Sequence, residues 1–426
     1  MDQPDQPAAN PVRVLAEAVY LAASWTWCIG MFLPVYLVRD FGWTGWLAFA
    51  IPNCLGAAAC GWVLHRTGAP IVWATRHARA IRVFSFVTLA FQWFFLVWVM
   101  FYYRFSKPGL VIIGALVLFL GAGAWAGEQA RRTRVLGAAI FAASLACAAW
   151  WFARGDYVPL DQLPAPALSG GHFAIAFSCA LGFFLCPLLD ATFVASAVRL
   201  PTRGSSAAFA IGFLAFFPLM IVFTLLYAPR VLAGMQPGSS PHPGDAGLAV
   251  GVHMALQLAF TIFLHERSTR DSHGGLGLGA IVTGIVLFVA AAQLNRIIPD
   301  RPSLPAMDNR EFIYRCFMTF YALVAPAYVW IVALPFRSRG PDPTRGMLIV
   351  FALAVLAAAP CFWIAFIERN TVWAIPGVAI VLAARPISRF FSRPGPHGLS
   401  GGSVPTPSDP PLLALSGRAA PDHREA

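Results

Sequence analysis

The sequence predicts an all-α polytopic membrane protein of about twelve transmembrane helices, and three observations carry that expectation. The chain of 426 residues is 58% hydrophobic and only 12% charged, a balance outside the range of soluble domains. Apolar runs long enough to span a bilayer, about 20 residues each, recur along almost the whole length. The basic residues, all Arg except Lys107, fall in the breaks between those runs. A formal charge of +11 therefore reads as membrane topology, and no nucleic-acid partner is expected.

In order, the runs lie at roughly 14–37, 43–64, 81–103, 109–126, 135–152, 172–197, 205–228, 246–264, 275–294, 311–334, 346–366 and 371–391. If the N-terminus is cytoplasmic, twenty of the thirty basic residues lie on the inner side and nine on the outer, with Arg315 left inside a helix. Cytoplasmic loops retain positive charge, so the expected placement is a plasma (inner) membrane protein with both termini cytoplasmic. A miscount by one helix would invert half of that assignment and erase the bias. The polar, acidic segment before the first run lacks a basic region, so no cleavable signal peptide is expected. Residues 1–13 are read as a cytoplasmic segment and 14–393 as the transmembrane domain. Residues 394–426, rich in Pro, Gly and Ser, are read as a disordered cytoplasmic tail.

All eight cysteines sit inside apolar runs, without a CxxC or Cys/His cluster, so disulfides and structural zinc are not expected. The informative residues are those that a lipid-spanning helix ought not to contain. The first run carries Gly30 and Pro34 near its middle, and the sixth carries Gly182 and Pro187. Proline removes a backbone donor and glycine weakens the helix, so each pair marks a place where backbone groups are freed at membrane depth. The two runs are five apart and cross in opposite directions, the relation of inverted repeats, in which discontinuous helices hold substrate and ion near the midplane.

The stretch ASWTWCIGMFLPVYLVRDFGWTGWLAFAIPNCLGAAACGWVL resembles the first two core helices of sodium:solute symporters and their relatives in the amino acid, polyamine and organocation superfamily, which share the LeuT-type fold. FSCALGFFLCPLLDATF is similar to the second broken helix of that family. The resemblance covers about 65 N-terminal residues and about 25 around run six. It implies a 5+5 inverted-repeat core with broken helices 1 and 6: repeat one at 14–152, repeat two at 172–334, and extra helices at 346–391. It also implies a secondary active transporter, a symporter rather than an enzyme, moving a small solute by alternating access.

On that reading, Trp27, Cys28, Gly30, Gln92, Gly182, Cys186, Pro187, His253 and Gln257 are candidate substrate contacts, with Trp25 beside them. Run eight lacks the neighbouring hydroxyls that the family uses for sodium. Its polar residues His253, Gln257 and Thr261 instead recur every four positions and form one stripe. Asp190, a carboxylate inside run six, must be neutral, paired or hydrated. Asp190, His253 and Thr261 are therefore the candidate ion-coupling residues, with Asp190 as the proton carrier and His253 as relay. A structural alternative pairs Asp190 with Arg199 or Arg315. Glu17 is expected to be interfacial, and HERSTRD at 265–271 to be a solvated connector.

The implied partners are a small-molecule solute, a coupling ion, H+ or Na+, and membrane lipid. No cofactor or metal is expected, and oligomeric state is left open. Two other classes fit some of the sequence. A 6+6 major-facilitator fold accounts for Gly61, Arg66 and Gly68 in the loop after run two, with His65 where an Asp is usual, but run six joins run seven without a long central loop. A membrane-embedded enzyme acting on lipid would gather paired acidic motifs such as DxxD, and none is present.

Overall fold

The computed structural model describes residues 10–67, 69–102, 129–154, 168–234, 245–270, 276–297, 308–334 and 343–391. Every regular element among them is helical. The chain begins with α1 (Pro11–Ser24), where the Asn10 side chain accepts from the Val12 amide and Pro11 occupies a first-turn position that needs no donor. Trp25, Thr26 and Trp27 interrupt it, and α2 (Cys28–Arg66) follows.

Gly42 within α2 has φ 66 and ψ −162, a backbone that side-chain-bearing residues rarely adopt. The turn there is a reversal. The Trp25 indole Nε1 donates to Asn53 Oδ1 at 2.7 Å, although a straight helix would separate the two by about 40 Å at 1.5 Å per residue. Two of the expected runs are thus the outgoing and returning arms of α2.

The remaining elements are α3 (Pro70–Arg76), α4 (Ala78–Tyr102), α5 (Ala130–Ala153) and α6 (Gly170–Leu185), then a 3-10 turn at Cys186–Leu189 and α7 (Ala191–Arg199). They are followed by α8 (Thr202–Gly234), α9 (Asp245–Arg270), α10 (Leu276–Ile297), α11 (Asn309–Ala333), α12 (Arg345–Phe366) and α13 (Ala374–Arg389). Among the described residues, nine helices are long and apolar enough to cross a membrane. With α2 doubled back and α10 contributing the shorter apolar helix Leu278–Ala291, eleven of the twelve expected runs coincide with helix. The run at 109–126 and the tail at 394–426 lie outside the described residues.

Large apolar side chains such as Phe173, Phe177, Leu353 and Leu356 face outward, as lipid contact requires. The polar residues Asn53, Gln92, Asp190, His253, Gln257 and His265 are buried inside the bundle. The chain is an integral, multi-pass membrane protein. Helices approach closely where side chains are missing: a Cβ added to Gly56 would lie 2.3 Å from the Phe183 carbonyl oxygen, so α2 and α6 touch backbone to backbone beside the second interruption.

Candidate functional site

Two breaks in the helical ladder build the site. At the first, the local backbone groups are satisfied almost entirely by short loops of the chain onto itself. Ser24 Oγ donates to Leu21 O, Thr26 Oγ1 to Ala22 O, and the Trp27 indole Nε1 to Ser24 O. No side chain caps α2 through Trp27.

Beyond the break, Pro34 has no amide to offer the Gly30 carbonyl four residues earlier. Thr224 Oγ1 of α8 donates to that oxygen at 3.1 Å, and the Tyr227 hydroxyl donates to Met31 O at 2.6 Å. Tyr314 of α11 donates to Cys28 O at 3.2 Å. The carbonyl freed by Pro34 is therefore already occupied by a protein hydroxyl, and the neighbouring carbonyls of Cys28 and Met31 also accept one each.

At the second break α6 ends in the 3-10 turn containing Pro187, and Asp190, in extended conformation, caps α7. Its Oδ1 accepts from the amides of Thr192 at 2.7 Å and Phe193 at 3.2 Å, and from the Thr192 hydroxyl. The turn is also held from outside. The Trp73 indole donates to Leu188 O, and Cys186 Sγ donates to Tyr321 O. Trp25 of the first break lies against Phe193 of α7, with ring centroids 4.8 Å apart. The two breaks are thus side by side.

Above them opens a cavity of about 650 Å³ lined by the outgoing arm of α2, by α6, by α11 and by the α12–α13 connection. Trp25, Trp27, Gly182 and Cys186 form part of its lining, with Ile29, Ser178, Tyr314 and Tyr321. The charged side chains that line it, Arg39, Asp40, Arg315 and Arg369, belong to one ion-pair cluster completed by Glu311. Arg39 makes a two-pronged contact with Glu311 at 2.7 and 2.9 Å, joining α2 to α11. Arg369 reaches Asp40 from a left-handed backbone, φ 63, that costs a non-glycine residue free energy. This strained residue draws the α12–α13 connection over the cavity.

The sequence-predicted residues divide between this cavity and its surroundings. Pro187 stands in the second break, while Cys28 and Gly30 lie in the first turn of α2, just beyond the first. Gln92 is fully buried, with no hydrogen-bond partner for its amide among the described residues. His253 does not reach the cavity: its ring packs on Phe223 at 5.1 Å and Tyr227 at 6.4 Å, and neither ring nitrogen has a hydrogen-bond partner among the described residues. Gln257 donates to Ser144 of α5, and Thr261 turns its hydroxyl back onto Gln257 O. The stripe on α9 thus faces α5 and α8 over most of its length, because the α8 hydroxyls stand between it and the first break.

Of the alternatives for Asp190, the pairing with Arg199 or Arg315 is not formed, since Asp190 caps α7 and those arginines serve other carboxylates. Glu17, expected to be interfacial, is enclosed by protein: fully buried, it accepts from Ser196 Oγ at 2.6 Å and pairs with Arg134 and Arg199. HERSTRD is not a solvated loop, because α9 runs to Arg270 and His265 within it is fully buried. His265 lies edge-on to Trp27 at 5.3 Å, with Nδ1 3.2 Å from Ser85 Oγ and Nε2 3.7 Å from Asp190 Oδ2. The signal for it was present: His265 is the next step of the series 253, 257, 261.

No family model matches this chain, and no curated protein matches it. Among solved structures it is similar to the Eremococcus coleocola manganese transporter, crystallised with an aromatic bis-isothiourea substituted compound. That likeness has 12% identity and a TM-score of 0.40, and covers 91% of this chain and 96% of that one.

Proposed function

We propose that the chain is a secondary transporter of a small solute that works by alternating access. The observation that carries this reading is the pair of helix breaks placed side by side beneath a 650 Å³ cavity in the bundle interior. A spanning helix tolerates non-helical backbone at depth only where it is buried in protein or lines a water-filled space. Here the breaks do both, and each shortens a rigid helix into two segments that can tilt independently.

The arrangement favours the 5+5 reading over the 6+6 one, since the interrupted helices are the first and sixth expected spans. On that reading residues 14–152 and 172–334 are the two repeats, and α12 and α13 are additions that cover the cavity. The face where α1 begins is assigned to the cytoplasm, as the basic residues suggest. Trp27, Cys28, Gly30, Gly182, Cys186 and Pro187 surround the solute, and the side chain of Gln92 reaches it after a modest shift at the first break. The solute itself is met mainly by aromatic rings and backbone, because the charged groups of the cavity are engaged with one another.

Two ionic clusters suit the two gates. Arg39, Asp40, Glu311, Arg315 and Arg369 close the cavity side, while Glu17, Arg134 and Arg199 tie α1, α5 and α7 together at the other end. Glu17 and Arg39 lie on opposite sides of the first break, on α1 and α2.

The test is reconstitution in proteoliposomes and a screen of small solutes for thermal stabilisation, followed by uptake with sodium and pH gradients varied separately. Stabilisation and uptake should both be lost in Trp27→Ala. Solutes that stabilise without crossing the membrane under any gradient would contradict the transport reading.

A further inference from the structure

We propose that Asp190 and His265 together form a buried proton-binding site, and that this pair, rather than a sodium site, supplies the coupling ion of the transporter reading on which the inference rests. The geometry is specific. Asp190 Oδ1 is used up by the amides of Thr192 and Phe193 and by the Thr192 hydroxyl, leaving Oδ2 to face His265 Nε2 at 3.7 Å. Both side chains are fully buried. The distance is too long for a direct hydrogen bond and short enough for strong coupling, so a proton on either group changes the affinity of the other.

The surroundings leave this pair as the responsive one. Cys60 of α2 and Tyr321 of α11 lie within electrostatic range of Asp190. Ser85 of α4 contacts His265 Nδ1. Several further ionisable groups described on the packed helices have partners of their own. Glu17 of α1 pairs with Arg134 of α5 and Arg199 of α7, and Arg267 of α9 donates to Thr133. His77 of α3 contacts the Tyr328 hydroxyl, and His65 of α2 lies 3.4 Å from the Thr202 hydroxyl.

A sodium ion, by contrast, wants several hard oxygen ligands. The carbonyls of Cys28, Gly30 and Met31 already accept protein hydroxyls, and the Thr261 hydroxyl is turned into its own helix.

Binding forms one O–H bond at Asp190 Oδ2 or one N–H bond at His265 Nε2, with the proton drawn from water on whichever side the site faces. Its consequence reaches the cavity by contact. His265 packs edge-on against Trp27, and Trp27 lines the cavity, so a change in imidazole charge or position alters the solute site without a relay through His253.

The test is infrared pH titration of the full chain in lipid, reading the carbonyl stretch of protonated carboxyl groups. Asp190→Asn is a suitable variant because asparagine caps helices about as well as aspartate. The expected result is a carboxyl band in the wild-type chain that is lost in Asp190→Asn, kept in Glu17→Gln, and displaced in midpoint by about one pH unit or more in His265→Gln. His253→Gln should leave that midpoint in place. A wild-type titration without a band absent from Asp190→Asn would overturn the proposal, as would a midpoint unmoved by His265→Gln. The titration needs neither solute nor gradient, so its failure would leave the transport reading standing, and failure of transport would leave the titration standing.

Discussion

The two breaks solve one problem in different ways. At the first, between α1 and α2, the chain satisfies itself with short side-chain loops and borrows hydroxyls from α8 and α11, and none of these contacts involves a carboxylate or an imidazole. At the second, between α6 and α7, a carboxylate caps the new helix and keeps one oxygen in reserve facing a histidine. The first break is therefore fixed by its neighbours, whereas the second carries the carboxylate on which the proposed proton site rests. On the proposed reading, shape for the solute and response to protons belong to adjacent but chemically distinct pieces of backbone.

Glycine substitution separates the two breaks most sharply. In Gly56→Ala the new methyl would sit 2.3 Å from Phe183 O, against backbone that cannot move aside, and the expected result is loss of the folded protein from detergent extracts. Overpacking of this kind costs about 3 kcal/mol. Gly30→Ala places its methyl 3.8 Å from Trp25 O, an ordinary contact. It should change thermal stability by no more than about 1 kcal/mol. Equal outcomes for the two would remove the distinction between a wedged break and an open one.

The next contrast is within Asp190. Its alanine variant loses the cap of α7 and should cost about 2 kcal/mol in thermal unfolding, while the asparagine variant should lie within a few tenths of a kcal/mol of wild type. Comparable damage from both would mean that charge, not capping, holds the second break. At the first break Asn53→Ala strands the buried indole N–H of Trp25, an expected loss of about 1–3 kcal/mol. The smallest effect belongs to Thr224→Val, which removes a single hydroxyl from Gly30 O and should cost about 1 kcal/mol.

The sequence made the membrane-spanning architecture legible because lipid enforces long apolar runs, and Pro187 marked the second break because proline acts on the backbone locally; the first break falls at Trp25–Trp27, ahead of Gly30 and Pro34, which both lie inside α2. It was less informative about side-chain partners. Pro34 marked a freed carbonyl, yet nothing local told that Thr224, far along the chain, would occupy it. His253 was taken for a site residue and His265 for a connector, since hydropathy ends a span at charged residues while the helix itself continues to Arg270. The α9 stripe fixed the face but not its neighbours. At that face His253 meets Phe223 and Tyr227, and three turns later His265 meets Asp190. The partners of Glu17 were hidden for the same reason, because proximity to a helix end does not reveal that Ser196 and Arg199 lie over it.

The claim that the cavity is reached alternately from two sides is tested most directly by labelling Cys186, which lines it, in a protein whose other seven cysteines are replaced. A membrane-impermeant thiol reagent is applied from either side of oriented vesicles. The account predicts reaction from both sides, with Glu311→Gln increasing access from the cavity mouth and Glu17→Gln increasing access from the α1 side. Each should shift the ratio about tenfold, as loss of about 1.4 kcal/mol of latch energy requires. Labelling from one side alone, unchanged by either substitution, would contradict alternating access.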